Sequence, residues 1–252
     1  MSTPYIMVAP SGARKTTADH PAIPITIAQS VAVAQNCHAV GADAIHLHVR
    51  KADGSHSIDV GQYREAIAEL GRVVPTMDVQ VSTESGGIYG VPEQLQLLTD
   101  LAPTWASVSV REIARAPDLA DRVYGICANN GTIVQHILFD EADAQILADW
   151  QRSGIVRADQ DTAILVLGRY TKDMNSDPAT LSQFVKALPK LRRWMLCAFG
   201  PQEHASLLAA AEMGGDIRVG FENSHLDADG IPHADNAQSI SKLRAALAKR
   251  GL

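Results

Sequence analysis

Aromatic residues make up only 5% of this 252-residue chain, which argues against the stacking platforms on which single-stranded nucleic acids are held. Lysine and arginine form no stripe either. The one dense run, "KLRRW" around Arg192, reads as a solvated turn, and with a formal net charge of -6 the chain shows no electrostatic footprint for nucleic acid. No stretch approaches the ~18 consecutive apolar residues of a membrane span. The opening "MSTPYIMVAPSG" has no basic region before its brief apolar run, so no secretory leader is expected. Cysteine is represented by Cys37, Cys127 and Cys197, without CxxC spacing. An odd number cannot pair completely within one chain, and a reducing cytoplasm is the expected setting. Nucleotide fingerprints are missing as well. The turn after the first apolar run is "APSGARK" rather than GxGxxG, no Walker loop occurs, and there is no GxSxG nucleophile elbow.

What is present is a regular alternation. Short β-rich runs recur at "YIMVAP", "AIHLHVR", "TMDVQVST", "WASVSV", "TIVQHILF", "AILVLGRY", "WMLCAF" and "DIRVGFEN". Between and after them lie amphipathic segments of helical length, starting with "TIAQSVAVAQNCHAV", where Thr26 and Gln29 have capping-box spacing. The others are "DVGQYREAIAELGRV", "VPEQLQLLTDL", "DLADRVYGICANN", "EADAQILADWQRS", "PATLSQFVKAL", "PQEHASLLAAAEMG" and "NAQSISKLRAALAKR". Strict βα alternation implies a parallel sheet, and eight units of about 31 residues fit a closed (β/α)8 TIM barrel better than an open doubly wound sheet, the runner-up. With 46% hydrophobic residues, no linker and no repeat, residues 1–252 are expected to form a single α/β catalytic domain.

Within "AIHLHVR", His46, His48 and Arg50 share one face of an extended chain while Ile45, Leu47 and Val49 share the other. In a barrel the greasy face meets the helices, and the two imidazoles point inward near the C-terminal mouth, where active sites sit. The plain alternative is a pair of hydrogen-bonded polar histidines. The last strand repeats the pattern: Arg218, Gly220 and Glu222 share a face, opposite Val219, Phe221 and Asn223. Glu222 is thus expected in the mouth, within reach of both histidines because barrel closure puts the last strand beside the first, with the second one further on. Two His nitrogens, one carboxylate and an open fourth position form the ligand count of a catalytic Zn²⁺. An ion pair between Glu222 and Arg218 is not expected, since a continuous strand separates them by more than ~13 Å at ~3.3 Å per residue. Other inward faces are polar too: Asp78, Gln80 and Ser82 on the third strand, followed by Thr83 and the "ESGG" turn, where Gly86 and Gly87 let backbone approach a ligand; Ser107 and Ser109 on the fourth; Gln135 on the fifth. Small hydroxyls there also serve simply as space-fillers.

The stretches "PAIPIT", "GADAIHLHVRKADG", "VST" with glycines soon after, and "GGDIRVGFEN" followed by "DG" and "NAQS" resemble the β-keto acid cleavage enzyme family, over most of the chain. The resemblance implies a zinc-dependent barrel enzyme that converts a β-keto acid and acetyl-CoA, or a related acyl-CoA, to acetoacetate and a new acyl-CoA by Claisen and retro-Claisen steps. His46, His48 and Glu222 match the family's metal ligands, Arg218 a functional arginine and Ser82 a substrate-contacting serine. Thr83, Ser107 and Gln135 are further candidates for substrate contact. The family's usual Asp after the metal-binding Glu, implicated in deprotonating the α-carbon, is here Asn223, and an amide is no general base. Where the family tends to be acidic on the fifth strand, this chain has Gln135. Arg14 falls where members vary with substrate, and a guanidinium there suits a distal carboxylate; a solvated arginine beside Lys15 is the plain alternative. The resemblance also implies a symmetric homo-oligomer, a tetramer. Two rivals stand beside this reading. An amidohydrolase-type metal hydrolase also carries HxH on a barrel strand, but on the first, with further histidines later and a final Asp. A zinc-binding barrel that has lost catalysis and acts as a binding protein would suit Asn223 and Gln135.

Overall fold

The computed structural model describes residues 3–252; Met1 and Ser2, at the start of the stretch read as lacking a leader, lie outside them. Among the described residues, eight parallel strands close into a barrel: β1 (Ile6–Val8), β2 (Ala44–Leu47), β5 (Asp78–Ser82), β6 (Trp105–Ser109), β7 (Ile133–Leu138), β8 (Thr162–Leu167), β9 (Arg193–Ala198) and β10 (Asp216–Val219). Their order around the barrel is β1-β10-β9-β8-β7-β6-β5-β2, with β1 paired to β2 to close the ring. The remaining strands, β3 (Val49–Arg50) and β4 (His56–Ser57), form a small antiparallel hairpin above β2. The expected (β/α)8 architecture is therefore observed. No helix of the described residues is long and apolar enough to cross a membrane.

Strand parity sorts the apolar residues into two separate clusters. Ile6, Val8, Ile45, Leu47, Val81, Val108, Val134, Leu165, Leu196, Ile217 and Val219 belong to the layer between barrel and helices. Met7, Ala44, Ile164, Val166, Met195, Cys197 and Phe199 fill the barrel axis. The apolar axial residues come mostly from β1, β8 and β9. Facing them across the axis, β2, β5, β6 and β7 contribute His46, Gln80, Ser82, Ser107, Ser109 and Gln135, all buried, and one half of the interior is thus polar.

The helices follow the sequence pattern. They are α1 (Ile27–Ala39), α2 (Val60–Val73), α3 (Val91–Leu101), α5 (Pro117–Asn130), α6 (Glu141–Ser153), α7 (Leu181–Ala187), α8 (Glu203–Glu212) and α9 (Asn236–Ala248), with an additional single turn α4 (Val110–Ile113). Thr26 caps α1 with the expected reciprocal box to Gln29. Asp59, Asp140 and Asp235 accept from the third backbone N–H of α2, α6 and α9, and each such cap is worth about 1 kcal/mol.

Two boundaries differ from the sequence reading, and both shape the mouth. β2 ends at Leu47, so His48 stands one residue beyond the barrel strand, and Val49 and Arg50 pair with the hairpin instead. Likewise β10 stops at Val219. Gly220 has φ +141, and a Cβ there would lie 2.5 Å from the Ala9 carbonyl oxygen, so only glycine lets the chain leave the strand so close to β1. Phe221, Glu222 and Asn223 then form a turn rather than a continued strand.

Candidate metal centre

His46 Nε2 and His48 Nε2 face each other at 3.1 Å, and Glu222 Oε2 lies 3.7 Å from the first and 3.6 Å from the second. These three residues offer ligand atoms all within 4.8 Å of one another. For three atoms bonded at ~2.1 Å to one tetrahedral ion, separations of roughly 3.4 Å are needed, so the cluster has the right size for a single divalent cation. Two further observations favour such an ion. Glu222 Oε2 is buried with no hydrogen-bond partner among the described residues, which is costly for a carboxylate oxygen unless something positive sits beside it. Two imidazole nitrogens meeting head-on are satisfied together only if a proton or a cation lies between them.

The tautomer of His46 is set from behind. Gln80 Nε2 donates to Gln135 Oε1 at 2.9 Å, which leaves Gln80 Oε1 to accept from His46 Nδ1 at 2.7 Å. His46 Nδ1 therefore carries the proton, and Nε2 presents its lone pair to the cluster, as a metal-binding imidazole requires. Burial, reinforced by the nearby Arg218 guanidinium, pushes the His46 imidazolium down to about 3, so the ring is neutral at ordinary pH. Glu222 is held in the mouth by Gly12, whose absent Cβ would fall 2.6 Å from the Glu222 Cγ. Burial alone would raise its carboxyl, but the Arg218 guanidinium outweighs that and holds it well below the usual carboxylate range.

Arg218 Nη2 donates to Glu222 Oε1 at 3.2 Å. The expectation that these two residues would stay apart is therefore corrected: the strand ends at Val219, and the turn at Gly220 folds Glu222 back over Arg218. For the same reason Asn223 is not on an opposite face. Its Oδ1 accepts from Arg218 Nη2 at 3.5 Å, and its Nδ2 donates to the Arg218 carbonyl at 3.1 Å. Arg218 also reaches Cys197 Sγ at 3.3 Å.

Above the cluster opens a pocket lined by residues from most of the barrel loops. Ser82 lines it and accepts from the Glu84 backbone N–H at 3.2 Å, which leaves the hydroxyl proton free to donate into the pocket. Arg14 is on its rim, 59% exposed, with Nε 3.8 Å from Glu84 Oε1. Thr83, Ser107 and Gln135 stand outside the pocket lining. Thr83 Oγ1 is spent on the Ser107 carbonyl, Ser107 Oγ is buried beside β7, and Gln135 lies one layer below His46, lining a cavity formed by the strand beginnings with Tyr5, Trp105 and Met195. His136 faces the helices and bonds the Gln160 carbonyl.

In and beneath the pocket are residues to which the sequence pointed only weakly or not at all. Gln80 was readable as inward-facing, without its role. Lys15 follows the first strand, and its Nζ donates to the Phe221 carbonyl at 2.7 Å. Arg50 donates to the carbonyls of Gly12, Ala13 and Lys15 and so fixes that first loop. Glu84, Ser109 and Arg169 also line the pocket. Arg169 lies over the Phe199 ring at 4.8 Å.

The beta-keto acid cleavage enzyme model matches residues 4–252. The chain belongs to this family. A 3-keto-5-aminohexanoate cleavage enzyme of Fusobacterium nucleatum is 26% identical over 94% of the chain and 89% of the relative. A 3-oxoadipate:acetyl-CoA acetyltransferase of Cupriavidus necator is 26% identical over 100% and 91%. Among solved structures, ObcA in a binary complex with oxaloacetate superposes with a TM-score of 0.67 at 17% identity, over 92% of this chain and 64% of that one. A type I 3-dehydroquinate dehydratase from Clostridium difficile does so with a TM-score of 0.64 at 12% identity, over 98% and 93%. At these identities the structural likenesses speak for the barrel fold.

If Gln80 sets the His46 tautomer, Gln80→Leu lowers divalent-metal affinity ~10–100-fold while leaving the three ligands in place. Competition for zinc against a chromophoric chelator measures this, and an affinity within about threefold of wild type would detach Gln80 from the metal centre.

Proposed function

We propose that this chain is a zinc-dependent β-keto acid cleavage enzyme, exchanging R–CO–CH₂–COO⁻ and acetyl-CoA, or a related acyl-CoA, for acetoacetate and R–CO–SCoA. The observation that carries this reading is the convergence of His46, His48 and an otherwise unpartnered Glu222 oxygen at the mouth of a barrel belonging to this family. An open tetrahedral Zn²⁺ held by those three would polarise the keto oxygen and favour the enolate without a proton transfer to it. The chain's own groups do the rest. Arg218, its charge buried among Glu222, Asn223 and Cys197, faces the carboxylate or enolate oxygen. Ser82 donates its free hydroxyl proton to a substrate oxygen.

The α-carbon proton needs an acceptor, and Asn223 cannot serve. Of the carboxylates in the pocket, Glu112 is committed to Ser85 and Gln94, and Glu222 to Arg218 and the histidines. Glu84 keeps both oxygens free of hydrogen bonds, 4.0 Å from His48 and 3.8 Å from Arg14, and we assign it the proton. Arg14, loosely held and exposed, is free to turn from Glu84 to a distal carboxylate of the keto acid, paired bidentately. The 3-oxoadipate in the Cupriavidus relative's name is such a diacid.

Purified protein is expected to hold about one zinc per chain and to form acetoacetate from acetyl-CoA with one or more members of a β-keto acid panel, and His46→Ala to lose both. Zinc without turnover across the panel would leave a metal-binding barrel of another function. With Glu84→Gln, zinc content stays the same and kcat drops ~100-fold or more; retention of most of the wild-type kcat would rule Glu84 out as the acceptor. For Arg14→Ala, the expected change is a kcat/KM loss of at least ~tenfold for dicarboxylic keto acids with little effect on monocarboxylic ones. Equal losses on both, or none, would end the assignment.

A further inference from the structure

Glu203 opens α8 and is 1% exposed. It makes no ion pair among the described residues, and it does not line the pocket. Its Oε1 accepts from the Gly220 backbone N–H at 3.1 Å and from Asn223 Nδ2 at 3.1 Å, while Oε2 has no partner. A helix would be served as well at this position by glutamine, and a buried carboxylate is costly, so the acid calls for a reason. Asn223 supplies one. An amide presents an oxygen and an NH₂ that could exchange places by a flip. Because Glu203 Oε1 and the Arg218 carbonyl are both acceptors, they hold the NH₂ of Asn223 between them, and Oδ1 is forced toward Arg218 Nη2. The charges along this line alternate: Lys15, whose Nζ sits on the Phe221 and Asn223 carbonyls, then Glu203, Arg218 and Glu222. The anion behind Arg218 is thus carried one side chain deeper than residue 223.

We propose that Glu203 is a positioning residue for Arg218, acting through Asn223, and that acid and amide at 203 and 223 are an exchangeable pair. This rests on the proposed cleavage reaction, in which Arg218 faces the substrate. Placing Asp at 223 alone would set two carboxyl groups about 3.1 Å apart, where they must share a proton. Placing Gln at 203 alone keeps the shape and removes the charge. Making both changes returns one acid and one amide, with the acid now beside Arg218. Burial raises the Glu203 carboxyl to about 8, against the Gly220 N–H, Asn223, Lys15 and Arg218. The charged and titratable groups that act with it are Lys15 from the first loop, Arg218 from β10 and Cys197 from β9, the thiol being pushed up by burial to about 11. Glu203 is ionised above about pH 8, and burial also lowers the Lys15 ammonium from its ordinary value.

The test is a cycle of wild type, Glu203→Gln, Asn223→Asp and the double variant, each zinc-loaded. Acetoacetate formation is followed from about pH 6 to about pH 9, with thermal unfolding on the same samples. At about pH 9 each single change is expected to lower kcat ~tenfold or more with KM altered far less, and the double variant to recover to within ~threefold of wild type. The wild-type rate should rise through about pH 8, and Glu203→Gln should lack that limb. A Glu203→Gln enzyme with wild-type kcat and profile overturns the proposal, as does a double variant that is no better than the worse single one or does not fold. If wild type forms no acetoacetate from any keto acid, the cleavage reading fails, and the pair is judged by unfolding. Loss of Tm in each single variant with recovery in the double then supports it, and additive losses overturn it.

Discussion

Each residue on a barrel strand faces either the helix layer or the barrel axis, and that parity is the constraint from which the rest of this molecule follows. The helix layer is apolar without exception on β1, β2 and β10, while the axis divides into an apolar half from β1, β8 and β9 and a polar half from β2, β5, β6 and β7. An all-apolar axis would be cheaper to bury. The polar half is sustained by chained amides: Gln135 to Gln80 to His46 satisfies three buried groups in series and delivers one bare imidazole nitrogen to the mouth. Structural need and chemical use coincide there, because the same hydrogen bonds that offset burial also fix the tautomer.

Arg218 plays the corresponding part among the charges. It is buried, and it gathers Glu222, Asn223 and Cys197 around one guanidinium nitrogen. A carboxylate that binds a cation must stay ionised in a site with little water, and Arg218 keeps Glu222 so. The guanidinium and the two histidines share that carboxylate, one oxygen facing each. A change at either end is felt at the other, which is why a residue as remote from the pocket as Glu203 can bear on the chemistry.

Much of this was legible in the sequence where parity held. His46 and Gln80 follow strict alternation, and both point to the axis. The helix-facing side of His136 was readable in the same way, as was the Thr26 capping box. Legibility stopped where strands stopped. Extending β10 through Asn223 by alternation put Glu222 in the mouth but kept it away from Arg218 and put Asn223 on the far side; the close passage of Gly220 against Ala9, a tertiary contact, ends the strand at Val219 instead. Ser107 and Gln135 were read as inward by alternation too, yet depth along the axis separates a pocket-lining side chain from one bonded beneath it, and depth is set by the stagger of neighbouring strands. Glu203 left no trace at all: an acid in the first turn of a helix is ordinary, and its burial depends on α8 docking against the β10 turn.

The two departures from the family resemblance, Asn223 and Gln135, have different physical standing in the fold. Gln135 makes sense as an acceptor for Gln80: an acid there would also accept, but it would place a buried charge one layer beneath a neutral imidazole, against the Met195 sulfur. Asn223 sits instead among charges, with Arg218 on one side and Glu203 on the other. A neutral amide is the group that can bridge a cation and an anion at once, offering an oxygen to the first and an NH₂ to the second. Asparagine at this position therefore fits a site whose negative charge has been moved, and gives no ground by itself for reading the barrel as one that has lost its chemistry.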